Sequence, residues 1–365
     1  MKNSWKYSLC LASVLGTAFS VQAADLEIEE LTTELTNPWG MVFLPDGKLV
    51  ITERPGNIRL YDEKAGLSAP LKNVPEVVAS GQGGMLGITA DPNFAENNKI
   101  YFCYSKPGDG GSSTGVSSAV LKGDALTDVK DIFTQYPLVD NGFHFGCRLT
   151  FDADGHLFVS LGERYAHMKE AQNLDNHLGK VVRIWPDGSV PEDNPFTDGK
   201  APEVYSYGHR NVQGLTIHPQ TGAVWEMEHG PKGGDEINLL GKGNNYGWPV
   251  ITYGIDYSGS IISDKTEMEG MEQPVLYWDP SIAPSGMAFY HGDKFPEWEG
   301  DLLVGSLKFT HLRHVEMDNG KPGEQTEYFR DRKERIRDVV VSPEGYVYML
   351  TDSPDGKLLK VSPAK

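Results

Sequence analysis

Cysteine is nearly absent from this chain. Cys10, Cys103 and Cys147 are the whole complement in 365 residues, and their spacing suits no zinc site. Cys10 lies in the N-terminal apolar run without the small-residue context of a lipoprotein cleavage site. Cys103 and Cys147 both sit in apolar, strand-like runs, where a disulfide in an oxidising compartment and a pair of buried thiols are equally open. Positive charge is also short: 33 Lys and Arg stand against 51 Asp and Glu, a net −18 that becomes −20 without Lys2 and Lys6. That balance excludes nucleic acid and anionic membrane as natural partners. The one sustained apolar run, residues 9–19, is too short for a permanent membrane span. Sustained helical periodicity is missing because 41 glycines and 23 prolines interrupt it.

The N-terminus carries Lys2 and Lys6, then the apolar run, then Val21-Gln22-Ala23, the pattern of a secretory signal with a small-residue cleavage site. Residues 1–23 are therefore expected to be removed on export to the periplasm, and residues 24–365 to form one soluble domain without membrane insertion. Within that domain one phrase recurs six times: an apolar strand, a Pro/Asp/Gly turn, and a second apolar strand ending in Thr, Ser or an acid. The copies are GMVFLPDGKLVIT from Gly40, GITADPNFAENNKIYFCY from Gly87, RLTFDADGHLFVSL from Arg148, GLTIHPQTGAVWEM from Gly214, GMAFYHGDKFPEWEGDLLVGS from Gly286 and DVVVSPEGYVYMLT from Asp338. Each reads as a hairpin, at intervals near one four-stranded blade plus loops. The expected fold is all-β, a six-bladed β-propeller of four-stranded antiparallel blades. The tail KLLKVS supplies a further strand to the last blade, and a strand near residues 26–35 pairs with it to close the ring.

That repeat predicts a site. Loops entering the first strand of each copy gather on one rim of a propeller. Those positions hold Gln82, His144, Arg210 with Asn211, Ser281, and Arg335 with Arg337, while the positions closing the second strands add Glu163 and Lys308. Such a cationic cluster in an acidic protein suits an anionic ligand, ideally a carboxylate, for which arginine offers a bidentate fork. Taken singly each residue has a plainer reading: Arg335 and Arg337 as solvated ion pairs with Glu334 and Asp338, His144 as a packed imidazole, Gln82 as a turn residue. The densest polar stretch, residues 207–248, contains HGPKGGDE. Its Gly230 and Pro231 carbonyls beside Asp235 and Glu236 are either hard oxygens for calcium or a glycine-rich loop capped by solvated carboxylates.

Seven motifs, GQGGMLGITADPNF, HFGCRLTFDADGHLFVSLGE, YGHRNVQGL, EHGPKGGDEINLLGKGNNYGWP, SIAPSGMAFY, GSLK and RIRDVVVSPEG, spread over the second to the sixth copies. Together they resemble the soluble quinoprotein sugar dehydrogenases that use pyrroloquinoline quinone (PQQ), and among them the periplasmic aldose sugar dehydrogenases. The resemblance implies PQQ on the propeller axis with Ca²⁺, aldose sugars as substrates, and a separate electron acceptor. It implies His144 as the base that takes the sugar C1 hydroxyl proton while hydride passes to the quinone, and Arg210 as the group stabilising charge on the quinone oxygen. Glu163, where glucose-type members carry Asp, is implied to orient His144. Gln82, Asn211 and Ser281 match cofactor-contacting positions, and Lys308, Arg335 and Arg337 match the cations facing the PQQ carboxylates. Gly230 and Pro231 carbonyls match ligands of the calcium on PQQ, and Glu236, the Tyr246 carbonyl and Asp256 resemble a second calcium site. Loops look shorter than in glucose-specific members, which implies an open mouth and broad aldose acceptance.

Two other classes share the architecture. A calcium-dependent lactonase needs acidic and amide ligands on the axis, where this chain offers His, Gln and Arg. A non-catalytic ligand-binding propeller leaves the convergence of Arg, Lys and His without a purpose.

Overall fold

The hairpin turns explain why each repeated phrase doubles back. In the first copy the Leu44 N–H donates to the Lys48 carbonyl (2.8 Å) and the Gly47 N–H to the Leu44 carbonyl (2.9 Å). Gly47 holds φ = 84°, a left-handed conformation that a side chain penalises. The same pair of hydrogen bonds recurs at Asp152–His156 and Ser342–Tyr346. The structure is a computed structural model that describes residues 26–364, and the segment read as a signal peptide, 1–23, lies outside the described residues.

The described chain forms six four-stranded antiparallel sheets with almost no helix, the expected six-bladed propeller. The first strands of the six copies, Pro38–Phe43, Met85–Ala90, Gly146–Phe151, Val212–Ile217, Pro284–Phe289 and Ile336–Val341, pack against one another around the axis. The second strands Leu49–Glu53, Leu157–Leu161, Val224–Glu228, Leu302–Ser306 and Val347–Thr351 are buried at every position. Each blade is covered on both faces by its neighbours, so these strands are buried along their whole length rather than in alternation, Glu226 and Glu228 of the fourth copy included. The strand Leu26–Leu35 pairs with Gly356–Pro363, with Ile28 opposite Val361, so the last blade is shared between the two ends of the described chain. This pairing removes the open edge a propeller would otherwise present.

Near the axis the packing is too tight for side chains. A Cβ added to Gly87 would stand 2.2 Å from the Cys147 carbonyl oxygen, which explains a glycine at the head of that copy. Cys147 is bonded to Cys103 (S–S 2.09 Å), so the question the sequence left open resolves as a disulfide joining adjacent blades. Midway along the channel Arg148 and Asp338, from strands Gly146–Phe151 and Ile336–Val341, form an ion pair of 2.9 Å. The Arg148 guanidinium also donates to the Gln213 carbonyl (2.7 Å) and lies 4.2 Å from the Trp39 ring. Asp338 Oδ2 accepts the Met41 N–H. This plug is the floor on which the site stands, and it occupies Asp338, which is therefore not the partner of Arg337.

Candidate active site

Above the plug is a cavity of about 250 Å³ whose lining includes Trp39, Gln82, Asn211, His229, Arg335 and Arg337. These residues come from loops entering the innermost strands, from the first residues of those strands and, for His229, from the end of a second strand, so the tertiary structure gathers what was spread over some 300 positions.

His144 immediately precedes Phe145 and Gly146, which line this cavity, at the entry to strand Gly146–Phe151. Its backbone is left-handed (φ = 49°), and its N–H donates to Gln82 Oε1 (2.9 Å). Glu163 Oε2 lies 2.8 Å from His144 Nδ1. A carboxylate there assigns the proton to Nδ1 and leaves the Nε2 lone pair free, and Nε2 has no hydrogen-bond partner among the described residues. The longer Glu side chain thus reaches the imidazole, while the Glu163 N–H donates to the Arg210 carbonyl (2.9 Å). Burial lowers the His144 pKa from its ordinary value; the Glu163 carboxylate opposes this, and the Arg210 and Arg164 guanidinium groups reinforce it. The imidazole is neutral at neutral pH, as a general base requires.

Arg164 was missed by the sequence reading. It is fully buried, with Nε donating to the Phe143 carbonyl (2.9 Å), Nη1 to the Ser112 carbonyl (2.8 Å) and Nη2 to the Asn141 carbonyl. Its guanidinium carbon lies 3.9 Å from the Phe145 ring centre. One cation thereby ties down the loop on both sides of His144.

Arg210 Nη1 donates to the carbonyls of Gly230 (2.8 Å) and His229 (3.0 Å), while its buried Nε has no partner. A buried guanidinium donor left unpaired is a poor ending for a finished core and a good one for a site awaiting an acceptor. His229 donates through Nε2 to the Pro284 carbonyl, and burial pushes its pKa down to about 3, so it enters the cavity wall uncharged. Arg335 and Arg337 share one carboxylate, Asp352, at 2.6 Å and 3.1 Å. Their ion pairs are therefore with Asp352, not with Glu334 and Asp338. Two guanidinium groups against one carboxylate leave net positive charge in the cavity wall.

Other expected positions lie apart. Lys308 is exposed, its ammonium 5.1 Å from the Phe309 ring, and Leu307 rather than Lys308 lines the cavity. The Ser281 hydroxyl donates to Asp235 Oδ1 (2.9 Å), and Ala283 is the residue of that loop in the cavity wall. Asp235 itself accepts from Gly230, Ser281, Ile282 and Ala283, so its carboxylate staples two loops and has no oxygen left for a metal.

Beside Arg210 a second space of only about 10 Å³ is bordered by Gly230, Glu228, Glu236 and Tyr246. It has room for one atom-sized occupant. Glu228 faces Glu236 across paired strands, and two pairs further along Glu226 faces Asn238. Desolvation and the Glu228 charge raise the Glu236 pKa to about 8, and the same causes push Glu226 well above the carboxylate range. Glu226 Oε2 and Asn238 Oδ1 are buried acceptors without a donor. A space bordered by the Glu228 and Glu236 carboxylates, with further buried acid beside it, fits a hard cation. Pro231 and Asp256 do not border this space, and the Asp256 carboxylate instead caps a turn by accepting the Ser258 N–H (2.8 Å).

The rim rule itself contained more than was drawn from it. Applied to the first copy it reaches Trp39, and applied to the ends of the second strands in the fourth and sixth it reaches Glu228 and Asp352. Arg164 follows Glu163 directly, but its burial has no signature in one sequence.

Residues 35–360 match the glucose/sorbosone dehydrogenase family. The chain is 46% identical over 363 residues to the aldose sugar dehydrogenase YliI of Escherichia coli, covering 97% of this chain and 96% of that protein. A crystal structure of the soluble aldose sugar dehydrogenase from Escherichia coli in the apo form superimposes with a TM-score of 0.90 at 45% identity, covering 93% of this chain and all of that one. The PQQ-bound form of aldose sugar dehydrogenase from Streptomyces coelicolor superimposes with a TM-score of 0.76 at 26% identity, covering 93% and 98%.

Proposed function

The chain belongs to the glucose/sorbosone dehydrogenase family of sugar-oxidising enzymes, and from that premise we propose that it is a periplasmic quinoprotein that oxidises aldoses at C1 to the lactone, with PQQ and Ca²⁺ as cofactors. The observation that carries the reading is an arginine pair sharing a single carboxylate in the cavity wall, together with a His–Glu pair whose Nε2 is free and whose His144 N–H is bonded to the cavity-lining Gln82.

The residues present fit PQQ, a flat tricyclic tricarboxylate. Arg335 and Arg337 would hold carboxylates, the Trp39 ring offers a flat wall, Gln82 and Asn211 offer polar contacts, and the unpaired Arg210 Nε offers a donor. When bound, PQQ supplies an electrophilic quinone that accepts hydride, and the Gly230 and Pro231 carbonyls would hold a calcium ion that would serve as Lewis acid. His144 Nε2 takes the proton of the C1 hydroxyl, which drives electron density onto C1. Glu163 keeps the ring in the productive tautomer and stabilises the imidazolium that forms. Arg210, itself buried, would hold positive charge where negative charge develops. Glu236 and the Tyr246 carbonyl would hold a second calcium to stabilise the fold, while Asp256 stays with its turn. Ser281 acts through Asp235 on the shape of the cavity, and Lys308 adds positive potential at the mouth. Residues 1–23 direct export and are removed. A further acceptor, of unassigned chemistry, returns the cofactor to its oxidised form.

The test is titration of the purified protein with PQQ and calcium. A bound-quinone absorption spectrum that bleaches on adding an aldose supports the reading, and lactone hydrolysis by PQQ-free protein would replace it with hydrolase chemistry.

A further inference from the structure

Phe143 and Tyr165 are 46% and 48% exposed, yet their rings lie 5.5 Å apart and Tyr165 stands edge-on to His144 at 5.3 Å. Exposed aromatic rings gain little from folding, and a contiguous apolar pair beside a polar catalytic cluster marks a ligand surface. The backbone is held in an uncommon state to present them. Arg164 and Tyr165 both adopt φ = 62°, rare for bulky residues and rarer in succession. Four contacts maintain it: Glu163 accepts the Tyr165 N–H, Arg164 binds the Phe143 carbonyl, and Asn141 accepts the Phe143 N–H while donating to the Arg164 carbonyl. The carboxylate that orients His144 therefore also fixes Tyr165.

Neither ring lines the 250 Å³ cavity, whose nearest aromatic wall is Phe145. The rings flank the imidazole from outside, so they face whatever reaches His144 from solvent rather than what fills the cavity beneath. Tyr257, 58% exposed, lies 6.0 Å from the Arg210 guanidinium and gives the second catalytic side chain a similar exposed ring.

We propose that Tyr165 and Phe143 form a pre-organised aromatic shelf on which the C–H face of an aldopyranose packs, setting the C1 hydroxyl against His144 Nε2. This rests on the aldose oxidation proposed above and assigns the sugar-selecting contact within it. A flat ring face is the common feature of many pyranoses, so such a shelf gives breadth across aldoses with little dependence on the arrangement of individual hydroxyls. A site selecting by hydrogen bonds would instead penalise each mismatched hydroxyl heavily.

The experiment compares PQQ- and calcium-loaded wild type with Tyr165→Asn, Phe143→Ala and Tyr165→Phe, using D-glucose and D-xylose with an artificial electron acceptor. Asparagine suits the left-handed backbone at position 165, so Tyr165→Asn removes the ring without adding strain. KM for both sugars is expected to rise about tenfold in Tyr165→Asn and in Phe143→Ala, equivalent to about 1.4 kcal/mol of lost binding. The drop in kcat should be smaller than the rise in KM, the PQQ titration midpoint should stay in place, and Tyr165→Phe should recover most of the loss. Wild-type KM values in both ring-deleted variants would overturn the shelf alone. A wild-type protein that binds PQQ and oxidises no aldose would overturn the functional reading and the shelf together.

Discussion

Glu163 Oε2 lies 2.8 Å from His144 Nδ1, and the same oxygen accepts the Tyr165 N–H. One carboxylate thus sets the tautomer of the base and the path of the adjoining loop. Its two tasks can be separated by substitution. His144→Ala should lower turnover by about 10² to 10⁴, the usual cost of a lost general base, while PQQ still binds. Glu163→Gln keeps a hydrogen-bonding side chain of the same length but removes the charge that stabilises the imidazolium, so kcat should fall while KM holds. Steady-state kinetics on PQQ-loaded protein decide both, and undiminished turnover in His144→Ala would refute the assignment.

The pH profile should follow from the burial of His144. A lowered imidazole pKa keeps the base unprotonated below its ordinary value of about 6.5, so the acid limb of kcat/KM should lie below that pH. Arg164 contributes to the lowering, so Arg164→Met should move the limb upward. Arg164→Lys keeps the charge but loses the three-carbonyl fork, so kcat should fall with the limb little changed. An identical limb in wild type and Arg164→Met would remove Arg164 from the electrostatics of the base.

The shared carboxylate of Asp352 gives opposite predictions for the two sides of the cradle. Arg335→Ala with Arg337→Ala should weaken PQQ uptake, because buried carboxylates without partners are costly. Asp352→Asn should tighten PQQ binding and destabilise the cofactor-free protein, since it leaves two cations without their counter-charge. Equilibrium titration and thermal melts of cofactor-free protein read the two effects. Reconstitution of the double variant at the wild-type midpoint would end the anion-cradle idea.

Cation binding beside Glu236 should be visible in stability against pH. The folded pKa of about 8 exceeds the ordinary 4.5, so between those values the cation-free folded state holds more protons than the unfolded chain, and its stability falls as pH rises through that window. Calcium favours the ionised form and opposes the loss. The gain in melting temperature on adding calcium to chelator-treated protein should therefore be larger at pH 8 than at pH 6. Equal gains would place calcium stabilisation elsewhere.

Turn chemistry and a sixfold apolar pattern were enough to read the propeller, its hairpins and its closing strand from the chain, because hairpin turns and strand burial are local or periodic properties. The rim rule reached Gln82, His144, Asn211, Arg335 and Arg337 for the same reason: equivalent positions in a repeat occupy equivalent places on a ring. At Ser281 and Lys308 the rule reaches the rim, while the side chains go to Asp235 and to solvent.

Which charges meet was decided only by tertiary structure. Arg337 neighbours Asp338 in sequence, yet adjacent strand residues point to opposite sides, so Asp338 crosses the axis to Arg148 while Arg337 turns to Asp352. The Cys103–Cys147 bond, the buried fork of Arg164 and the crowded acids around Glu236 likewise arise where blades press together. Sequence determined the ring and which residues stand on its rim; packing between blades determined which of them are paired, which are buried, and which are left free to act.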